Sequence, residues 1–419
     1  MTENNLISRT LDVLDTEVID YVLFFENYIG TEEIYQKFSQ IDRTMQIESG
    51  YYLRYWVIPN YSFWLEYRQA RRLLTEKDKR VELNSTSKRP IGISATLKLF
   101  KSSMPAELWN EYRRRILGDE NLQPIFFELD TALHFWGMGF DIEWIEPSDI
   151  SGVRIAEFIA STDSMTIEVE CKSKSADSGR KILRKQFYRL IDDVAIDLVS
   201  DKLTGRISIS VPDRLPSNEN WKKQLIREIT KCLDTGLDRI ELVDGTIISQ
   251  NLKRAEKILI PAPSPSNILD IQSSRKPHAH IAILAQANQE TITNPLVFEV
   301  ESRSEDKFID SIFNEMGKAK HQLTGKHTAV ISIFMPEVNT FESLGTNSAL
   351  ELIAKKFFQK QSNSHIFAVS FTSDLIENHT APYIQLSSPS IGFYNPNYDK
   401  KLGPEFSIFD NKPQENKGD

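Results

Sequence analysis

Cysteine is almost missing from this 419-residue chain: Cys171 and Cys232 are the only two. Two thiols make neither a disulfide framework nor a cysteine-based metal site, and they predict a reduced, cytoplasmic setting. The opening MTENNLISRTLDVLD lacks the basic and apolar stretches of a secretory leader. No apolar run reaches the ~20 residues that a bilayer-spanning helix needs, so no membrane partner is expected. A Gly-x-x-x-x-Gly-Lys-Ser/Thr run is absent, which excludes a P-loop nucleotide site. An excess of positive charge is absent as well. The net charge of −9 excludes a protein coated throughout in nucleic acid or resting on anionic lipid, but not one with a local basic groove. What is present is 40% hydrophobic and 26% charged, a globular composition with length for two or three domains.

Residues 1–118 read as a helical N-terminal region. In its middle, YYLRYWVIPNYSFWLEYRQARRLL, Arg54, Arg68, Arg71 and Arg72 alternate with Tyr51, Tyr55, Trp56, Tyr61 and Trp64. Such a mixture either stacks on unpaired bases or packs a helical core with solvent-facing arginines, and packing is the commoner use. Residues 119–260 read as mixed α/β. A helix from Phe126 to Trp136 stops at Gly137 and Gly139. The strands FDIEWIE, GVRIAEFIAS and MTIEVECKS follow, with Asp163 and Ser164 as turn residues between the last two. A helix over roughly 179–199 and the strand RISISVP complete the unit. PAPSPSN at 261–267 is a candidate linker.

Beyond it, residues 261–400 form a second α/β unit that echoes the first. HIAILAQANQETITNPLVFEVESRS lines up with RIAEFIASTDSMTIEVECKS, and LTGKHTAVISIFMPE with LTGRISISVPD. The echo is either a duplication with a degenerate second copy or a chance likeness of two strand–helix–strand units. Residues 401–419 read as a polar tail.

The chemistry concentrates in TIEVECKSKS, Thr166 to Ser175. In a strand, Ile167, Val169 and Cys171 share one face while Glu168, Glu170 and Lys172 share the other. Such a row is either an ordinary solvated face or a metal-binding edge. Glu157, thirteen residues before Glu170, lies in RIAEF on the strand that the turn brings alongside, within cross-strand reach. Glu128 lies in the preceding helix. Two carboxylates on adjacent strands can hold Mg²⁺ or Mn²⁺, Lys172 can orient the attacking water or stabilise charge on a phosphoryl centre, and Glu128 can bind a second metal or a metal-bound water. The strand pattern alone does not separate Glu168 from Glu170 as the better ligand.

Over about residues 124–212 this arrangement resembles the PD-(D/E)xK nuclease superfamily, the fold of many restriction endonucleases and archaeal Holliday-junction resolvases. That family's pattern is a helix bearing an acid, a Gly-hydrophobic turn, a strand with Pro-Asp, and then (Asp/Glu)-x-Lys. FFELDTALHFWGMGFDIEW matches the helix and turn, RIAEF takes the Pro-Asp place, and IEVECKSK takes the last. Ala156-Glu157 replaces Pro-Asp, and the extra methylene moves the carboxylate by about one carbon. The resemblance implies a restriction-endonuclease-like α/β core and Mg-dependent phosphodiester hydrolysis. It implies Glu157, Glu170 and Lys172 as catalytic residues, with Glu157, Glu170 and Glu128 at the metal. DNA is favoured over RNA as partner, and many members of the superfamily act as homodimers. The Glu157 substitution favours the alternative, a catalytically inactive nuclease-like fold that binds nucleic acid or protein.

Seven basic residues lie between Lys172 and Leu190 against one acid, Asp177. Among them Lys174, Arg180, Lys181, Arg184 and Lys185 can track a phosphate backbone from the next helix, with Gln186 as a further polar contact. SADSGRKI can offer helix N-terminal amides to a phosphate. A solvated helix face is the plain alternative. In the second unit Glu301 and Arg303 take the places of Glu170 and Lys172, and Ile283 that of Glu157, so any second site is expected to be inactive. His278 and His280 have the spacing of an amidohydrolase His-x-His pair, but the eight-fold β/α alternation that this chemistry needs is absent.

Overall fold

A computed structural model describes residues 11, 17–72, 88–118, 122–146, 156–175, 177–198, 203–254, 259–261, 280–287, 291–335, 349–373, 376–377, 386–387 and 390–398. In chain order come helices α1 (Val18–Ile29), α2 (Thr31–Ile47), α3 (Ser62–Arg72), α4 (Lys88–Phe100), α5 (Ala106–Leu117) and α6 (Gln123–Gly137). Strands β1 (Asp141–Trp144), β2 (Phe158–Thr162) and β3 (Met165–Ser173), helix α7 (Arg184–Leu198), strand β4 (Leu203–Val211) and helix α8 (Glu219–Thr235) follow. Then come β5 (Arg239–Glu241), β6 (Ile247–Arg254), β7 (Leu259–Pro261), β8 (His280–Ala287) and β9 (Thr291–Ser302). Helix α9 (Phe308–Gln322), β10 (Thr328–Phe334), α10 (Ala349–Phe358), β11 (Ile366–Thr372) and β12 (Ser390–Tyr394) complete the main elements. The fold is mixed α/β. The linker candidate beyond Pro261 and the tail 401–419 lie outside the described residues. Among the described residues no helix is long and apolar enough to cross a membrane.

Two compact units form, and they are interleaved in sequence. One comprises Met1–Asp42, Tyr61–Ala176 and Ile309–Asp419, and the other Arg43–Asn60 and Asp177–Phe308, each over its described residues. The expected divisions near 118 and 260 are therefore not the boundaries of the compact units.

In the first unit, α1 buries Val18, Val22, Phe25 and Ile29 at helical spacing, and α3 buries Phe63, Trp64, Tyr67 and Ala70. Phe25 meets Phe63, Trp64 and Tyr67 with ring centroids 4.7–6.3 Å apart. The arginines of this stretch are satisfied locally: Arg71 forks onto Glu26 at 2.8 and 3.0 Å, and Arg68 bonds Asp42 at 2.8 Å. For these residues the aromatic–arginine alternation is core packing with an ion-paired rim. The sheet of this unit runs β1-β2-β3-β10-β11-β12. β1, β2 and β3 form an antiparallel meander, β10 and β11 are parallel to β3, and β12 closes the edge antiparallel. Every residue of β10, TAVISIF, is buried, as expected for a parallel strand covered on both faces.

The second unit's sheet runs β5-β6-β4-β9-β7, with β8 also paired to β9. Its core gathers Phe187, Leu190, Ile191 and Val194 of α7 with Ile207, Ile209, Phe298 and Val300. Helical turns Gly50–Asn60, π-helical at Leu53–Val57, also belong to it, and there Tyr51, Tyr55 and Tyr188 stack with centroids 5.5 Å apart.

The two echoing sequences exchange their ends. The meander ending in β3 was expected to be completed by the helix over 179–199 and the strand RISISVP. Instead β4 pairs with β9 in the second unit, whose core also takes α7, while β3 takes β10 from the second echoing segment. The registers correspond: Val169 faces Val330, and Val300 faces Ile209. Each Glu-Val-Glu strand is latched by its first glutamate. Glu168 accepts hydrogen bonds from the Thr324 backbone N–H at 2.8 Å and from the Thr324 hydroxyl, and Glu299 accepts one from the Ser208 hydroxyl at 3.2 Å. Charge-assisted bonds of this kind contribute roughly 1.5–3 kcal/mol each.

Candidate active site

Helix α6 carries Pro124 near its start, where a missing N–H costs nothing, and buries Ile125, Phe126, Leu129, Ala132 and Phe135 against the sheet. It ends where expected. Gly139 takes φ +94, a conformation that glycine adopts without a Cβ penalty, and Phe140 N–H bonds back to Phe135 O at 3.1 Å. This turn aims β1 back beneath the helix and sets Glu128, 7% exposed, toward the meander.

The Asp163–Ser164 turn fixes the register of β2 on β3, with Thr162 opposite Met165 and Phe158 opposite Val169. Glu157 immediately precedes β2, outside the paired register; its N–H bonds Val169 O at 3.0 Å, and the charges of Glu128 and Glu170 bear on its carboxyl. The β2–β3 hairpin expected from sequence is present, and it brings Glu157 into the neighbourhood of Glu170.

The acid face of β3 is not a solvated strand face. Glu168 is 2% exposed and Glu170 is fully buried. Glu168 is occupied by Thr324, which separates the two carboxylates that the strand pattern left equivalent. Glu170 Oε1 lies against the Lys172 ammonium, and Oε2 is buried with no hydrogen-bond partner among the described residues. An unpartnered buried carboxylate oxygen is costly unless a proton or a cation satisfies it.

The electrostatics tie the cluster together. Burial lifts Glu170 to about 7, against the pull of Lys172, and nearby Glu128 adds to the rise. Burial raises Glu157 well above the usual carboxylate range, helped by the charges of Glu128 and Glu170 and opposed by Lys172 and Arg115. Burial likewise raises Glu128, opposed by Arg115 and by a hydrogen bond from Tyr112. Lys172 is raised despite its burial because Glu170 and Glu157 hold its proton, so it is an ammonium at neutral pH. Carboxylates this close raise one another's pKa, because each disfavours ionisation of the next.

Two contributors escaped sequence reading. Tyr112 donates its hydroxyl proton to Glu128 Oε2 at 2.6 Å, and Arg115 NH1 lies 3.7 Å from the same oxygen. Both sit on α5, three residues apart and thus on one helix face. The run YRRR marks a basic turn, but only the fold shows which arginine points inward.

The expected phosphate-tracking residues are mostly occupied. Lys174 pairs with Glu315 at 3.0 Å, Arg180 with Asp306 at 3.7 Å, Lys181 with Asp213 at 2.6 Å, and Arg184 with Asp177 at 3.7 Å. Lys185 is exposed and has no acid partner among the described residues. Helix α7 begins at Arg184 rather than near 179, so Arg180 and Lys181 lie in the preceding turn and form no helical stripe with Arg184. The amides expected to meet a phosphate already have carboxylate partners: Lys181 N–H bonds Asp306 at 2.9 Å and Arg184 N–H bonds Asp177 at 3.0 Å. The acids that neutralise this segment come largely from residues 213–315, too distant in sequence for a local charge count to include.

In the second unit Arg303 donates to Gly245 O at 2.6 Å. Ile283 faces Val297, four residues short of Glu301, so it is not the cross-strand counterpart of Glu157. His278 lies outside the described residues. His280 is a core histidine: its ring bonds Ile182 O at 2.8 Å and stacks on Phe187, and burial keeps it neutral. No family model, curated protein or solved structure matches this chain.

Proposed function

We propose that this chain is a cytoplasmic, metal-dependent nuclease that hydrolyses phosphodiester bonds, in DNA ahead of RNA, on a restriction-endonuclease-like core. The observation that supports the reading is the cluster of Glu157, Glu128 and Glu170, close enough for their charges to act on one another, with Lys172 against Glu170 and a buried Glu170 oxygen left without a partner among the described residues. No group of three metal-ligating side chains stands ready-made among the described residues. Mg²⁺ and Mn²⁺ do not require one, because Mg²⁺ in particular is commonly held by one or two carboxylates with its remaining positions filled by water.

Glu157 and Glu170 fit the role of ligands, with Glu128 beside them. A bound Mg²⁺ or Mn²⁺ would neutralise phosphate charge and make a water nucleophilic at neutral pH. Lys172 remains protonated and so serves as a positive hydrogen-bond donor to the phosphoryl oxygens rather than as a base. Burial of Glu170 excludes bulk water and strengthens each of these interactions. Lys185 is the expected backbone contact with no acid to displace. Whether the chain acts as a homodimer is part of the same proposal.

Wild-type protein and Lys172→Ala, incubated with duplex, nicked and single-stranded DNA and with RNA in Mg²⁺, Mn²⁺ or EDTA, test the reading. Metal-dependent cleavage that the variant lacks is expected. Binding without cleavage on every substrate refutes it and favours the binding-only alternative, which the longer side chain of Glu157 would explain.

A further inference from the structure

The resemblance assigns Glu128 to a metal, and the sequence left a second ion open to it. The structure gives Glu128 two other partners. Its Oε2 accepts the Tyr112 hydroxyl at 2.6 Å and faces the Arg115 guanidinium at 3.7 Å. Tyr112 is 1% exposed and the Arg115 side chain 20%, so both contacts are largely shielded from water. The other acid of α5 near this point, Glu111, is paired with Arg114 at 2.9 Å. Arg115 also opposes the charge of Glu157, so its field covers two of the three acids.

The charge balance follows from these contacts. Glu128, Glu157 and Glu170 bring three negative charges when ionised, and Lys172 and Arg115 return two positive ones. The net is −1. One divalent ion brings the cluster to +1, suited to a phosphodiester anion. A second would bring it to +3 in a buried site, where like charges repel strongly.

We propose that Arg115 stands in place of a second metal ion, so that the cluster takes a single divalent cation on Glu157 and Glu170 while Glu128 is a positioning residue. The inference rests on the metal-dependent reading of this site and deepens it. Tyr112 and Arg115 fix the carboxylate plane of Glu128, and Arg115 supplies from the protein the positive charge that a second ion would otherwise bring.

The test is the stoichiometry of Mn²⁺ binding to the full chain at pH 8, read by electron paramagnetic resonance of the free ion. One equivalent is expected for wild type and for Arg115→Lys, which keeps the charge. Arg115→Gln, one charge more negative, is expected to take a second, weaker equivalent. Glu128→Gln is expected to keep one equivalent, with affinity lowered by about 10- to 100-fold, the loss typical of a group that orients a ligand. Glu170→Gln is expected to bind none. Two equivalents in wild type, one in Arg115→Gln, or none in Glu128→Gln overturns the proposal while leaving metal-dependent cleavage intact. No binding by wild type removes this proposal and the metal-dependent reading together. Should Arg115→Gln fail to fold, as judged by circular dichroism, wild type and Glu128→Gln still decide the question.

Discussion

Glu170→Gln isolates the cost of the buried carboxylates. Burial moves Glu170 from 4.5 to about 7, so the folded state holds its proton more tightly than the unfolded state does. Between pH 4.5 and 7 the folded chain therefore carries the extra proton. Stability falls as pH rises through that window, by about 1.4 kcal/mol per pH unit for one group. The contribution is fully present below 4.5, where both states are protonated, and is lost above 7. Across the window the loss is about 3 kcal/mol from Glu170 alone. Glu128 and Glu157 shift in the same direction, and the three titrate as a set. Urea midpoints in EDTA from pH 4.5 to 8, for wild type and Glu170→Gln, give the readout. Carboxylates elsewhere impose their own slopes on both proteins and cancel in the difference. The stability of the variant relative to wild type should rise by about 3 kcal/mol across the range. At pH 8, Mg²⁺ should return about 2.7 kcal/mol to wild type at one hundred times its dissociation constant, and nothing to the variant. A pH-independent difference refutes the buried, unpartnered carboxylate.

Thr324→Val removes the hydroxyl that Glu168 uses and leaves the backbone N–H as its partner. The expected loss is about 1.5–3 kcal/mol in urea unfolding at unchanged m-value, and an unchanged midpoint would mean that Glu168 needs no latch. Gly205 in β4 has φ +131, and an added Cβ would lie 1.9 Å from Asn251 O of β6. Gly205→Ala should therefore cost about 3 kcal/mol or more and expose β6 amides to hydrogen exchange, and wild-type protection there would contradict the register.

Much of the site was legible because its signals are local. The Glu-x-Lys strand, the two-residue turn and the Gly137–Gly139 stop each depend on a few adjacent residues, and together they bring Glu157 and Glu170 into one neighbourhood. Three things were hidden. Alternation in TIEVECKSKS predicted at most one buried face, yet Ile167 to Cys171 are all buried, because a strand's pattern does not reveal what packs on its polar side. Tyr112 and Arg115 come from a helix outside the motif. The ion pairs of Lys174, Arg180 and Lys181 reach across 32 to 141 positions of sequence, beyond any local count of charge.

The exchanged strands give the second echoing segment a role that a failed second site does not. β10 and Thr324 come from the repeat that lacks the acid pair, yet they flank β3 in the first unit. Ile331 lies beside Glu170 in the parallel register, and Thr324 holds Glu168. Burial is the chief cause of the raised pKa of Glu170, and the charge of Glu128 adds to it. A division near residue 260, where the local pattern places it, would keep Glu128, Glu157, Glu170 and Lys172 but strip the sheet of the strand that encloses them. The second echoing segment can therefore lack an acid pair of its own, since what β3 draws from it is a fully buried parallel strand and one threonine. Sequence constraint on that repeat should fall on TAVISIF and Leu-Thr-Gly rather than on Glu301 and Arg303. That distribution would be senseless for a second catalytic centre and is required for a structural donor.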